Sequence, residues 1–153
     1  MLRLLPRILV LLLAFPLVAA AESPEAANAP RPEVQVFKSP TCGCCTKWEK
    51  HLEARGFQIQ SSHVEDLTRI KRWYGVPADS AACHTAIVDG YVIEGHVPAS
   101  DVERLLRERP AVRGLIVPGM PLGSPGMESP TPEPYSVYTF DGSGLGPVFS
   151  RHE

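Results

Sequence analysis

The chain has 153 residues, 44% of them hydrophobic and 21% charged, with a formal net charge of −2. That is enough for one domain with its own core. No basic run is present, so the electrostatic footprint of a nucleic-acid binder is missing.

In chain order, residues 1–21 carry the three-part pattern of a secretory signal. Arg3 and Arg7 precede a leucine-rich apolar stretch from Ile8 to Val18, and Ala19-Ala20-Ala21 offers small residues for cleavage. The apolar stretch is short for a bilayer span. Without Arg3 and Arg7 the mature chain holds 13 basic and 17 acidic residues, and no second long apolar segment argues for membrane insertion. Residues 22–33, rich in Ala, Pro and Glu, read as a flexible leader.

The domain proper is expected over residues 34–114. Val34 to Phe37 is a short strand, broken by Ser39-Pro40-Thr41. A helix follows around the cysteines, with Cys45, Trp48 and Leu52 on one face and Gly56 at its end. Phe57 to Gln60 alternates as a strand. A second helix spans about Glu65 to Tyr74, with Leu67, Ile70 and Tyr74 as its apolar stripe. Trp48 and Trp73 are assigned to the core, His51 and His63 to solvent, and His96 to a structural place near the hairpin end. Thr85 to Val88, the Asp89-Gly90 turn and Tyr91 to Ile93 form a β-hairpin. Ser100 with Glu103 predicts a capping box for a third helix, with Val102, Leu105 and Leu106 inward. Residues 115–153 then turn rich in Pro, Gly and Ser and hold Met120 and Met127 in near-duplicate Pro-Gly-Met phrases. Tyr135 to Phe140 alternates as an edge strand, and the glycine-rich end reads as loose.

The order β-α-β-α-β-β-α indicates an α/β fold. A strand that delivers a Cys-x-x-Cys to a helix N-terminus selects the thioredoxin-like arrangement, a central mixed sheet flanked by helices, here with a Pro/Gly-rich C-terminal extension.

The chemistry lies in the cysteines. Cys42 and Cys45 are spaced as a redox pair, and a helix N-terminus stabilises thiolate through its macrodipole and free N–H groups. Cys44 is surplus to a dithiol mechanism. It can pair with Cys45 only as a strained vicinal disulfide. Three clustered thiols plus Cys83 suit a soft monovalent ion, and thiolate and thioether ligands select Cu(I). Cys42, Cys44, Cys45 and Cys83 are therefore the candidate metal ligands, with His84, Met120 and Met127 as additional ligands or neighbours. Plainer roles stand beside these: two structural disulfides for an exported chain, a loop histidine at 84, and methionines as adaptable packing.

Val34-Gln35-Val36-Phe37-Lys38-Ser39-Pro40-Thr41-Cys42-Gly43-Cys44-Cys45, Cys83-His84-Thr85-Ala86, Gly95-His96-Val97-Pro98, Pro118-Gly119-Met120-Pro121 and Gly123-Ser124-Pro125-Gly126-Met127-Glu128 resemble CopG-type copper-resistance proteins, over roughly residues 33–140. The resemblance implies a thioredoxin-like domain in the periplasm of a Gram-negative bacterium. It also implies Cu(I) held by Cys42, Cys44, Cys45 and Cys83, a role in copper redox handling, and other periplasmic copper-handling proteins as partners. Thioredoxins carry a cis-proline facing the dithiol, whereas the matching loop here reads His84-Thr85, which argues against general disulfide exchange with proteins. Two alternative functions remain open from the residues: a thiol–disulfide oxidoreductase acting on proteins, and a copper chaperone or buffer without redox turnover.

Overall fold

The computed structural model describes residues 31–153; the expected signal segment and most of the leader lie outside the described residues. The elements are β1 (Glu33–Lys38), α1 (Gly43–Glu53), β2 (Gln58–His63), α2 (Leu67–Trp73), a 3-10 turn (Ala78–Ser80), β3 (His84–Val88), β4 (Tyr91–Glu94), α3 (Ala99–Glu108), β5 (Gly114–Ile116), β6 (Tyr135–Phe140) and β7 (Leu145–His152). They build one seven-stranded sheet in the order β2-β1-β3-β4-β5-β6-β7. β1/β2 and β4/β5 are parallel, and the other neighbours are antiparallel. This is a thioredoxin-like α/β fold.

Strand alternation assigns the two faces. Val34, Val36, Ala86, Val88, Ile93, Leu115 and Val137 join Trp48 and Leu52 of α1 and Val102 and Leu105 of α3 in the main core. Their neighbours Val92, Ile116 and Phe140 point the other way and pack with Val76 and Tyr74 at the end of α2. The expected inward face of α1 is fully buried, and Trp48 Nε1 donates to the Val97 carbonyl at 2.8 Å. That bond ties α1 to the segment leading into α3. No helix among the described residues is long and apolar enough to cross a membrane.

Several expectations need correction. Trp73, assigned to the core, is 81% exposed. At about 100° per residue, Leu67, Ile70, Lys71 and Tyr74 share one face of α2, and Trp73 falls outside that arc; Lys71 is buried in its place. The Ser100–Glu103 capping box does not form. α3 starts two residues earlier, behind Pro98, with no side-chain cap from its N-cap residue. His51, expected in solvent, accepts from the Ala99 N–H at 3.1 Å and satisfies that helix start. Glu103 instead takes a two-pronged bond from Arg55, at 2.9 and 2.7 Å. The C-terminal residues are not loose. They form β7, which covers β6, so β7 rather than β6 is the edge strand. β5 leaves no signature in the sequence, because its three residues are too few to show a period.

Candidate metal centre

Sheet register decides which side chains meet. Lys38 at the end of β1 pairs with His84 at the start of β3. The chain leaving β1 toward the cysteines and the chain arriving at β3 through Cys83 therefore meet at one end of the sheet. In the β3/β4 hairpin Thr85 pairs with Glu94. Continuing that register by two residues sets Cys83 opposite His96.

Cys42 is the N-cap of α1, and its sulfur accepts from the Cys45 N–H at 3.4 Å. Cys42 and Cys45 are joined as a disulfide, while Cys44 and Cys83 are free thiols. Cys44 Sγ lies 3.4 Å from Cys42 Sγ and 3.8 Å from Cys83 Sγ. All four sulfurs fall within 4.8 Å of one another. A second group overlaps the first at Cys83, with donor atoms of Cys83, His84 and His96 also mutually within 4.8 Å.

The histidines are tuned by their partners. The Pro125 carbonyl, 2.7 Å from His96 Nδ1, can only accept, so Nδ1 carries the proton. His96 Nε2 then presents its lone pair to the Cys83 thiol at 3.0 Å. A backbone carbonyl that fixes a histidine tautomer in this way is the usual outer support of a ligating imidazole. His84 is fully buried, with its ring 4.3 Å from that of Trp48 and its Nδ1 3.5 Å from Cys83 Sγ. Its Nε2 has no hydrogen-bond partner among the described residues. Burial, with the nearby His96, Lys71 and Lys38 charges adding to it, holds His84 well below the usual imidazole value; burial also lowers His96. Cys83 is pushed up to about 12, first by burial and then by its neighbour Cys44. The thiol therefore keeps its proton at neutral pH.

Two buried ion pairs brace the site. Lys38 Nζ donates to Glu49 at 2.6 Å and to Thr46 of α1 at 2.8 Å. Lys71 Nζ donates to Glu94 at 2.5 Å. Glu94 also accepts from Thr85 Oγ1 at 2.7 Å and from the Ala82 N–H at 2.6 Å, which anchors the backbone next to Cys83. Burial raises Glu94, against the opposing pull of Lys71.

The C-terminal extension reaches the site through its backbone. An added Cβ at Gly126 would meet the Cys44 carbonyl oxygen at 2.6 Å, the Trp48 nitrogen at 3.0 Å and His96 Nδ1 at 3.3 Å. Residues 125–126 are thus a strap lying on the first turns of α1. Met127 follows the strap and is half-buried, whereas Met120 leaves 51% of its surface to solvent. Of the residues singled out in the sequence, the fold collects the four cysteines and His84. It adds His96, which sequence reasoning gave a structural place; the hairpin register was the signal that could have found it.

Solved structures support the relationship. Copper resistance protein copG, Form 2, is 41% identical to this chain with a TM-score of 0.76, the match covering 80% of this chain and 99% of that one. Form 1 of copper resistance protein copG is 41% identical with a TM-score of 0.75, covering 80% and 98%. The family described as "Protein of unknown function, DUF411" matches residues 80–127, from just before Cys83 to Met127. No curated protein matches. At this identity and coverage, the chain belongs to the CopG-type copper-resistance protein family.

Proposed function

We propose that the protein is exported to the periplasm and binds Cu(I) there through Cys42, Cys44, Cys45 and Cys83, as part of copper resistance. The observation that carries the reading is the gathering of four cysteine sulfurs within 4.8 Å from two separate elements. The donor chemistry fits. Thiolates favour Cu(I) over harder ions, and His96 Nε2 and His84 Nδ1 add imidazole donors beside Cys83. Bound copper is the cargo, and it supplies one-electron chemistry. The chain's own part is to present sulfur, release thiol protons and orient His96 through the strap.

Thiol state and copper state are linked by stoichiometry. Reduced Cys42 and Cys45 can pass two electrons to two Cu(II) ions, forming the Cys42–Cys45 disulfide, two Cu(I) ions and two protons. The disulfide withdraws two anionic donors, so oxidation loosens the site. Anaerobic titration of fully reduced protein with Cu(I) tests this reading. Tight binding of at least one equivalent, weakened in a Cys44→Ser variant, is expected; binding unaffected by that substitution would sink the cluster.

The Cys42–Cys45 disulfide at the start of α1 favours a second reading, a thiol–disulfide oxidoreductase acting on proteins. Metal-free turnover of a protein disulfide that survives loss of Cys44 and Cys83 would favour it over copper binding.

A further inference from the structure

With Cys42 and Cys45 joined, the two remaining thiols face each other. Cys44 projects from the first turn of α1 and Cys83 from the chain entering β3, and their sulfurs are 3.8 Å apart, already in contact. A disulfide needs about 2.05 Å between sulfurs, so the closure asked of two half-exposed side chains is small. The alternatives are poor. Cys42 and Cys45 are occupied by each other, and a bond between neighbours Cys44 and Cys45 is strained. We propose that Cys44 and Cys83 are a second redox pair, so that the oxidised limit of the site carries two disulfides and the four sulfurs exchange four electrons.

The step balances simply. The Cys44 and Cys83 S–H bonds break, one S–S bond forms, and two protons and two electrons leave. An azodicarboxamide oxidant such as diamide accepts both pairs as its N=N bond becomes HN–NH; on the copper reading above, two Cu(II) ions accept the electrons as they become Cu(I). Cysteine donors then fall in steps from four to two to none, leaving His84 and His96 as the remaining donors. The second bond also ties the entry of β3 to α1, so full oxidation cross-links the two elements that build the site.

The experiment uses metal-free protein, so its result does not depend on whether copper binds. Protein with the Cys42–Cys45 bond formed is treated with diamide, alkylated and digested with trypsin without reduction. The expected result is a fall from two alkylatable thiols to none, with the peptide spanning residues 39–47 covalently joined to the one spanning residues 73–104. A Cys44→Ser variant should lose the link, and a Cys42→Ser/Cys45→Ser variant should form it. Two thiols that persist in the wild type, a link retained at equal yield in Cys44→Ser, or its absence from the double variant each overturns the proposal. A link that forms while Cu(I) titration fails would overturn the copper reading alone.

Discussion

The near-duplicate phrases around Gly119 and Gly126 allow one contact to be measured against an internal control. Both glycines have positive φ, +71° and +90°. An alanine at either position bears the left-handed penalty, on the order of 1–2 kcal/mol. A Cβ at Gly119 meets nothing within 4 Å, whereas at Gly126 it runs into backbone atoms of Cys44 and Trp48 at 2.6 and 3.0 Å. Backbone in the middle of α1 cannot turn aside as a flexible side chain would. Gly126→Ala must therefore either strain α1, at about 1–3 kcal/mol as for an overpacked core, or lift the strap. Lifting it breaks the His96–Pro125 bond, worth roughly 0.5–1.5 kcal/mol. The expected totals are ~1–2 kcal/mol for Gly119→Ala and ~2–5 kcal/mol for Gly126→Ala. Urea unfolding of metal-free protein, with thermal midpoints alongside, measures both. The second observable is the His96 imidazole resonance, which shifts only in Gly126→Ala. Equal destabilisation of the two variants, with His96 undisturbed in both, would refute the placement of the strap on α1.

Further outcomes follow from the buried charges and rings. Lys71→Met leaves Glu94 without its cation in the interior and should cost about 3–5 kcal/mol; a loss under 1 kcal/mol in urea unfolding would mean that the pair does not brace the Cys83 loop. Trp48→Ala should cost about 3–5 kcal/mol and Trp73→Ala less than about 0.5 kcal/mol, because the first ring is fully buried and the second 81% exposed; comparable losses would contradict the assigned face of α2. His51 and His84 titrate below the usual 6.5 in the folded chain, mainly through burial. The unfolded chain therefore takes up protons that the folded chain refuses, and stability is full above that value and falls as pH drops below it. His84 alone gives a slope approaching ~1.4 kcal/mol per pH unit, with half-exposed His51 adding less; metal-free urea midpoints that stay level between pH 7.5 and 5.5 would count against this. His96→Ala should weaken Cu(I) binding about 10–100-fold, read by anaerobic competition with a chromophoric Cu(I) chelator, and an unchanged affinity would remove His96 from the site.

Local patterns carried much of this protein. The spacing of Cys45, Trp48 and Leu52 placed α1 and its buried face, because one helical stripe against a sheet leaves a 3.6-residue period in the residues themselves. The Asp89-Gly90 turn between two short apolar runs placed the hairpin, because an Asp-Gly pair suits the backbone of a tight two-residue turn. Cysteine spacing, with the surplus Cys44, marked the chemistry before any contact was known. Capping and edges were less legible. Ser100 and Glu103 have the spacing of a capping box, yet His51, 48 positions from the helix start it caps, makes the bond to Ala99. Trp73 is as hydrophobic as Trp48, and only the orientation of α2 on the sheet separates them.

Residue type and short-range period dictate the α/β order, the thiol-rich helix start and the soft character of the clustered side chains. Tertiary structure alone decided which thiols touch: Cys83 reaches Cys44 because β3 pairs with β1 with His84 opposite Lys38. It also decided that His96 belongs beside Cys83 and that the strap at Gly126 closes over α1. These are contacts between residues far apart in the chain, set by strand register and by how closely two backbones approach, and neither quantity is written in the composition of any one segment.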